Sequence, residues 1–245
     1  MIGVLGGMGP QAGFDLASLL TAETAASSDQ DHLPVVVWSD PRVPDRTAWL
    51  DDNASPDPAP AIAEGFLALE RAGAGVAGLA CNTAHTPAIF DRVEEHLRHA
   101  GARVRILHLI RETVTGIREW YPGISTVGVL GTHGTLVSRQ YHRALDHADL
   151  TAISPDNSHR LTEAIYHPET GIKTCSSPVA PQAREAIFKA IEDLADQGSE
   201  AVILGCTELP LAVPERTHAG VHLINPARML ARALIRSTAP DRLRP

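Results

Sequence analysis

The sequence predicts an α/β fold made of two similar doubly wound, flavodoxin- or Rossmann-like parallel-sheet domains with pseudo-twofold symmetry. Three observations carry that expectation. Short runs rich in Val, Ile and Leu alternate with longer stretches of helical periodicity, the pattern of a parallel sheet covered by helices. Ile2-Gly3-Val4-Leu5-Gly6 is matched by Val127-Gly128-Val129-Leu130-Gly131, 125 positions later. Ala80-Cys81 likewise precedes Gly205-Cys206 by 125, so each Cys follows the Gly that ends its half's first strand by the same 75 positions (6 to 81, 131 to 206).

Taken in order, buried strands are expected over residues 2–5, 35–38, 76–80, 104–107, 126–130, 201–204 and 221–224. Helices are expected over 62–71, 84–98 and 181–196, where Ala, Leu, Glu and Arg dominate. Residues 39–60 read as a long irregular connection, because Pro41, Pro44, Pro56, Pro58 and Pro60 interrupt it and it is too polar for a strand. His108-Leu109-Ile110 and His222-Leu223-Ile224 form a short echo, each triplet ending a strand and leading into a helix. Ligands of open parallel sheets bind beyond the carboxyl ends of the strands, where both cysteines stand, so one cleft between the domains is expected to hold both thiols.

Composition narrows the function classes. A formal net charge of −8 with dispersed Lys and Arg argues against nucleic acid and anionic lipid surfaces as partners. No basic n-region opens the chain and no apolar run approaches a membrane span, so a cytoplasmic protein is expected. Three cysteines without CxxC spacing, and twelve histidines without zinc-motif spacing, suggest neither a disulfide framework nor a metal site. Gly6-x-x-Gly9 lacks the acidic ribose position of a dinucleotide fingerprint, and no lysine motif argues for pyridoxal phosphate, so no cofactor is expected.

A Cys at the end of a buried strand is commonly just a small hydrophobe. Its repetition in both halves favours chemistry. Two bases on opposite faces of a carbon invert it in one pass, one removing a proton while the other delivers one. A thiol's ordinary pKa of about 8.5, lowered by a helix N-terminus or a cation, would let both protonation forms exist near neutral pH.

Four motifs in order, Gly6-Gly7-Met8-Gly9-Pro10, Pro44-Asp45-Arg46-Thr47, Cys81-Asn82-Thr83-Ala84-His85 and Gly205-Cys206-Thr207-Glu208-Leu209, resemble those of the cofactor-independent aspartate/glutamate racemases, aspartate racemases above all. Cell-wall glutamate racemases differ, with Asp-Ser where this chain has Met8-Gly9 and His where Glu208 stands. The resemblance covers essentially the whole chain. It implies a homodimer, no cofactor, an amino-acid substrate, Cys81 and Cys206 as the acid/base pair, and a first domain of residues 1–110 plus 215–245 with residues 111–214 inserted as the second.

Candidate binding residues follow from the charges of an amino-acid dicarboxylate. Arg46, flanked by Asp45 and Thr47, is the first choice for the side-chain carboxylate, its planar fork being suited to bidentate contact. Lys173 resembles a second carboxylate-binding cation, although Pro168 and Thr170 depart from the family pattern. Asn82, Thr83 and the amides through Ala84 suggest an anion nest, with Thr207 as counterpart. Met8 and Thr132 belong to the two Gly-rich turns expected to floor the cleft. His85 and Glu208 stand near enough to tune a thiol or meet the substrate ammonium, and each has a plain alternative as a packing or capping residue. Cys175 reads as structural. Glutamate or broad-specificity racemisation, a related isomerase or decarboxylase, a ligand-binding regulatory protein and a thiol redox protein remain open alternatives.

Overall fold

A computed structural model describes residues 1–51, 56–156 and 159–245. The chain divides into two compact units, Met1–Glu112 with Ala227–Pro245, and Thr113–Pro226.

The first unit contains a four-stranded parallel sheet of β1 (Ile2–Gly6), β2 (Val35–Ser39), β3 (Val76–Leu79) and β4 (Arg105–Leu107), in the order β2-β1-β3-β4. Its helices are α1 (Pro10–Glu23), α2 (Arg46–Asp51), α3 (Ala59–Arg71), α4 (Pro87–His99) and the start of α5 (Leu109–Trp120). The second unit holds β5 (Thr126–Gly131), β6 (Thr151–Ile153), β7 (Ala201–Gly205), β8 (Thr217–His218) and β9 (Val221–Ile224), in the order β6-β5-β7-β9-β8, parallel except for β8. Around it lie α6 (His133–Val137), α7 (Gln140–Asp146), α8 (His159–Tyr166), α9 (Pro181–Asp196) and α10 (Leu209–Ala212), and the last helix, α11 (Pro226–Thr238), returns to the first unit.

Register shows where the repeat resides. Ile2 pairs with Val76 and Leu5 with Leu79, and 125 positions on Val127 pairs with Ala201 and Leu130 with Leu204. The inner strand pair that leads to each Cys is therefore built twice in one register. The outer strands do not keep the offset, since Val35 and Val76 are partnered by Ile2 and Arg105 but Thr151 and Ala201 by Thr126 and His222.

Every residue of β1 and β7 is buried, as continuous apolar runs require when helices cover both faces of a sheet. One core gathers Leu5, Met8, Phe66, Leu79, Cys81 and Phe90, and a second gathers Leu130, Ile165, Ile187, Leu204, Cys206 and Leu223. α1 reaches β1 through two glycines: a Cβ on Gly6 would stand 2.8 Å from the Gly13 Cα, so neither position has room for a side chain.

The structure alters several sequence expectations. Residues 46–51 form α2 inside the supposed irregular connection, because Asp45 Oδ1 accepts from the Thr47 and Ala48 amides and caps the turn. Of that connection, residues 52–55 lie outside the described residues. The helix expected over 84–98 is split by extended Thr86 into a 3₁₀ turn, Thr83–His85, and α4, which starts on Pro87. The triplet echo does not mark equivalent places, since Leu109 and Ile110 open α5 whereas Leu223 and Ile224 lie within β9. β9 pairs with β7 through His222, Leu223 and Ile224, and the second compact unit runs on to Pro226. β6 and β8, three and two residues long, had no apolar run to announce them.

The returning C-terminal segment is tied to the end of α1. Buried Glu23 accepts from Arg228 and, at 2.6 Å, from Arg232, while the Ala25 amide donates to the Arg242 carbonyl and the Arg244 amide to the Glu23 carbonyl. In the same unit a Cβ on Gly78 would meet the Leu230 side chain at 2.8 Å, so α11 packs directly on β3.

Candidate active site

Both cysteines lie at the carboxyl ends of matched strands and both are buried, Cys81 after β3 and Cys206 after β7. Neither is in a disulfide. No long helix begins on either one. Cys81 is followed by the single 3₁₀ turn, and Cys206 by the four-residue α10.

In the second unit the thiol of Cys206 donates to Glu208 Oε2 at 3.0 Å, and the Thr207 hydroxyl donates to the same oxygen at 3.3 Å. The other carboxylate oxygen, Oε1, receives Lys173 Nζ at 3.2 Å. Lys173 also stands 5.6 Å from the centre of the Tyr166 ring. Burial, and then the neighbouring carboxylate, push the Cys206 pKa well above its ordinary range, with Lys173 acting in the opposite sense. The helix-terminus lowering expected from the sequence is therefore not what governs this thiol. Lys173 is delivered by a turn folded around His167, whose Nδ1 accepts from the Glu169 and Thr170 amides and whose carbonyl accepts from Gly171. The departures at Pro168 and Thr170 fall inside this turn. Cys175, on the following turn, donates to the Glu169 carbonyl at 3.3 Å.

In the first unit Cys81 packs in one core with Met8, Val43 and Ala84. Asn82, Thr83 and Ala84 are buried beside it. Arg46 opens α2 and is half-buried; Nη1 donates to the Pro44 carbonyl at 2.8 Å and the Val43 carbonyl at 3.2 Å, and Nη2 to the Met8 carbonyl at 3.4 Å. Its Nε is buried with no hydrogen-bond partner among the described residues. The guanidinium thus laces the proline-rich loop to the turn after β1. Asp45 is exposed and caps α2, and Thr47 lies within that helix.

Thr132 begins the turn after β5 as the N-cap of α6, its hydroxyl accepting from the Thr135 amide at 3.2 Å. At the equivalent place in the first unit Gly7 adopts φ +104°, and a Cβ there would overlap the Asp40 backbone, which explains a glycine without recourse to ligand binding. His85 donates from Nδ1 to the Cys81 carbonyl at 2.8 Å, so its ring turns to the backbone of its own turn. Sequence reasoning missed its neighbour His108, which lies edge-on to His85 and to Phe90 with ring centres 4.6 and 4.8 Å away. The His-Leu-Ile echo was the one signal that drew attention to this position.

Comparison with known proteins follows the same architecture. The model of the family described as Asp/Glu/Hydantoin racemase matches residues 5–234. The chain belongs to that family. It is a racemase of the Asp/Glu class, an isomerase, carrying the family's two-sheet fold. Among solved structures, the aspartate racemase of Picrophilus torridus is 30% identical with a TM-score of 0.81, over 96% of this chain and 93% of that one. The broad specificity amino-acid racemase RacX of Bacillus subtilis is 26% identical over 96% of both chains. A glutamate racemase of Herpetosiphon aurantiacus is 28% identical over 59% of this chain and 51% of its own.

Proposed function

We propose that this racemase interconverts L- and D-aspartate without a cofactor, with Cys81 and Cys206 as the two bases on opposite faces of the α-carbon. The observation that carries the reading is the twice-built strand pair, which ends in a buried thiol each time and in the same register. A buried thiol hydrogen-bonded to a carboxylate is held in its protonated form. Cys206 is accordingly the resting acid. Cys81 is then the base for the enantiomer whose α-hydrogen faces it, and each turnover leaves the roles exchanged.

Two cations support a dicarboxylate substrate. Lys173, seated on the Glu208 carboxylate, and Arg46, whose Nε is buried with no hydrogen-bond partner among the described residues, are the two cations assigned to the substrate carboxylates. The similarity to an aspartate racemase agrees with this choice. A second reading, broad specificity, is favoured by the engagement of Lys173 with Glu208 and of Arg46 with carbonyls of its own loop, and by the likeness to RacX. A homodimer, implied by the sequence resemblance, belongs to the same proposal.

The deciding experiment is proton NMR of L-aspartate, L-glutamate and a neutral amino acid, each incubated with the purified protein in deuterium oxide and followed by chiral analysis. Loss of the α-proton signal together with the D-enantiomer for aspartate alone is the expected result. Comparable exchange of a neutral amino acid establishes the broad-specificity reading instead, and a product of another constitution establishes isomerase or decarboxylase chemistry.

A further inference from the structure

The carbonyls of the two cysteines accept hydrogen bonds from different kinds of donor. The Cys206 carbonyl accepts from the Leu209 amide, three residues on, at 3.0 Å, an ordinary turn of backbone. The Cys81 carbonyl accepts from a side chain, His85 Nδ1, at 2.8 Å. The other ring nitrogen, Nε2, accepts from the Leu109 amide at 3.3 Å. A carbonyl only accepts and an amide N–H only donates, so these two partners fix the neutral tautomer with its hydrogen on Nδ1.

The ring is 1% exposed, stacks on Phe90 with centres 5.0 Å apart and planes 21° apart, and meets His108 edge-on. Burial, and the adjacent His108, lower the His85 pKa well below the ordinary imidazole range, and burial with Arg111 nearby lowers that of His108 to about 4. Both shifts favour the neutral imidazole. The residue 125 positions after His85 is Pro210, which has no donor to offer, so the second unit has no counterpart to this link.

We propose that His85 is a positioning residue that ties the backbone of Cys81 to the first turn of α5, the helix in which the chain passes from one compact unit to the other. Its donor end holds the turn on which the Cys81 sulfur is carried, and its acceptor end anchors that turn to the Leu109 amide, which α5 itself cannot satisfy because the first N–H groups of a helix have no intrahelical partner. The catalytic part of this inference rests on the two-thiol reading. A misplacement of about 1 Å in a reacting group costs on the order of 100-fold in rate, so a tie of this kind bears on turnover although the ring touches no reacting atom.

The test uses the full chain and three measurements on each variant: alkylation rates of Cys81 and of Cys206 by iodoacetamide, followed by peptide mass spectrometry; kcat and KM for aspartate; and the thermal midpoint. His85→Phe keeps the stacked ring and removes both hydrogen bonds, whereas His85→Asn restores a donor near the place of Nδ1. The expected result for His85→Phe is Cys81 alkylation changed at least about threefold with Cys206 unchanged, and kcat lowered about 10- to 100-fold with KM within about twofold. His85→Asn recovers part of both. Wild-type alkylation of Cys81 in His85→Phe overturns the proposal, as does an equal change at both cysteines, which would mean general loosening. If His85→Phe does not fold, His85→Gln, which reaches Leu109 but gives Cys81 no donor, carries the same comparison. Absence of racemisation in the wild-type protein would defeat the two-thiol reading, while the alkylation rates still decide whether His85 positions Cys81.

Discussion

The two cysteine turns descend from the same strand pairing yet are finished differently. After β3 the Cys81 turn is closed by an imidazole that satisfies a carbonyl behind it and an amide ahead of it, with an apolar core around the sulfur. After β7 the Cys206 turn is closed by backbone, and the side chains instead surround the sulfur with charge: Glu208 against the thiol and Lys173 behind the carboxylate. One turn is organised to fix geometry and the other to fix protonation. Under the two-thiol proposal such unequal surroundings matter, because two identical thiols would share one proton without preference.

The largest effects should come from removing the thiols themselves. Cys81→Ser and Cys206→Ser are each expected to lower racemisation of aspartate at least about 1000-fold, since a serine hydroxyl is a far weaker base than a thiolate and the proposed mechanism uses both groups in every turnover. Substantial activity in either single variant would show that the two turns are not partners in one reaction.

Next in size are the cations. Arg46→Met and Lys173→Met should each raise KM for aspartate about 10- to 100-fold, the equivalent of a charged hydrogen bond of about 1.5–3 kcal/mol, and change KM for a neutral amino acid less than about threefold. Equal effects on both substrates would remove the dicarboxylate assignment.

A smaller but more diagnostic effect is expected from Glu208→Gln. The carboxylate raises the Cys206 pKa, so its replacement lowers it, and the alkaline limb of kcat/KM, where the last thiol proton leaves, moves to lower pH. Lys173 acts in the opposite sense, so Lys173→Met moves that limb upward. Racemisation has an equilibrium constant of one, which makes kcat/KM equal for both enantiomers at each pH. The limb must therefore move identically in the two directions, and a limb that stays in place would place control of the proton elsewhere.

The smallest effect compares the turns after the first strand of each unit. A Cβ on Gly6 meets backbone, the Gly13 Cα at 2.8 Å, whereas one on Gly131 meets the Gly205 carbonyl and the Thr135 methyl at 3.0 Å. Gly6→Ala should cost about 1–3 kcal/mol, seen as a thermal midpoint lowered by a few degrees, and Gly131→Ala less. The reverse order would indicate that α1 yields more readily than its close approach suggests.

Much of the frame was legible from pattern. The inner strands are apolar throughout because helices cover them, and their repeat carries the cysteines to equivalent places. Edge elements such as β6, with exposed Thr151, lack that constraint and left no comparable mark. At the site, the residue types were readable but not their company. Glu208 could cap a helix or face a thiol with the same sequence, and only the fold brings Lys173, 35 positions earlier, onto its carboxylate. Asp45, carried along by its motif, turns out to cap α2, and His108 joined the ring cluster through strand pairing that no local pattern encodes.

The tie between Glu23 and the returning helix also sets an order of events during synthesis. Residues 113–226 form a unit of their own, so that stretch can complete its folding while the chain is still being extended at about 5–20 residues per second. The first unit cannot. Its β3 waits for Leu230 and its Glu23 for Arg228 and Arg232, which are made after the whole of the second unit, so the half that emerges first from the ribosome is the last to close.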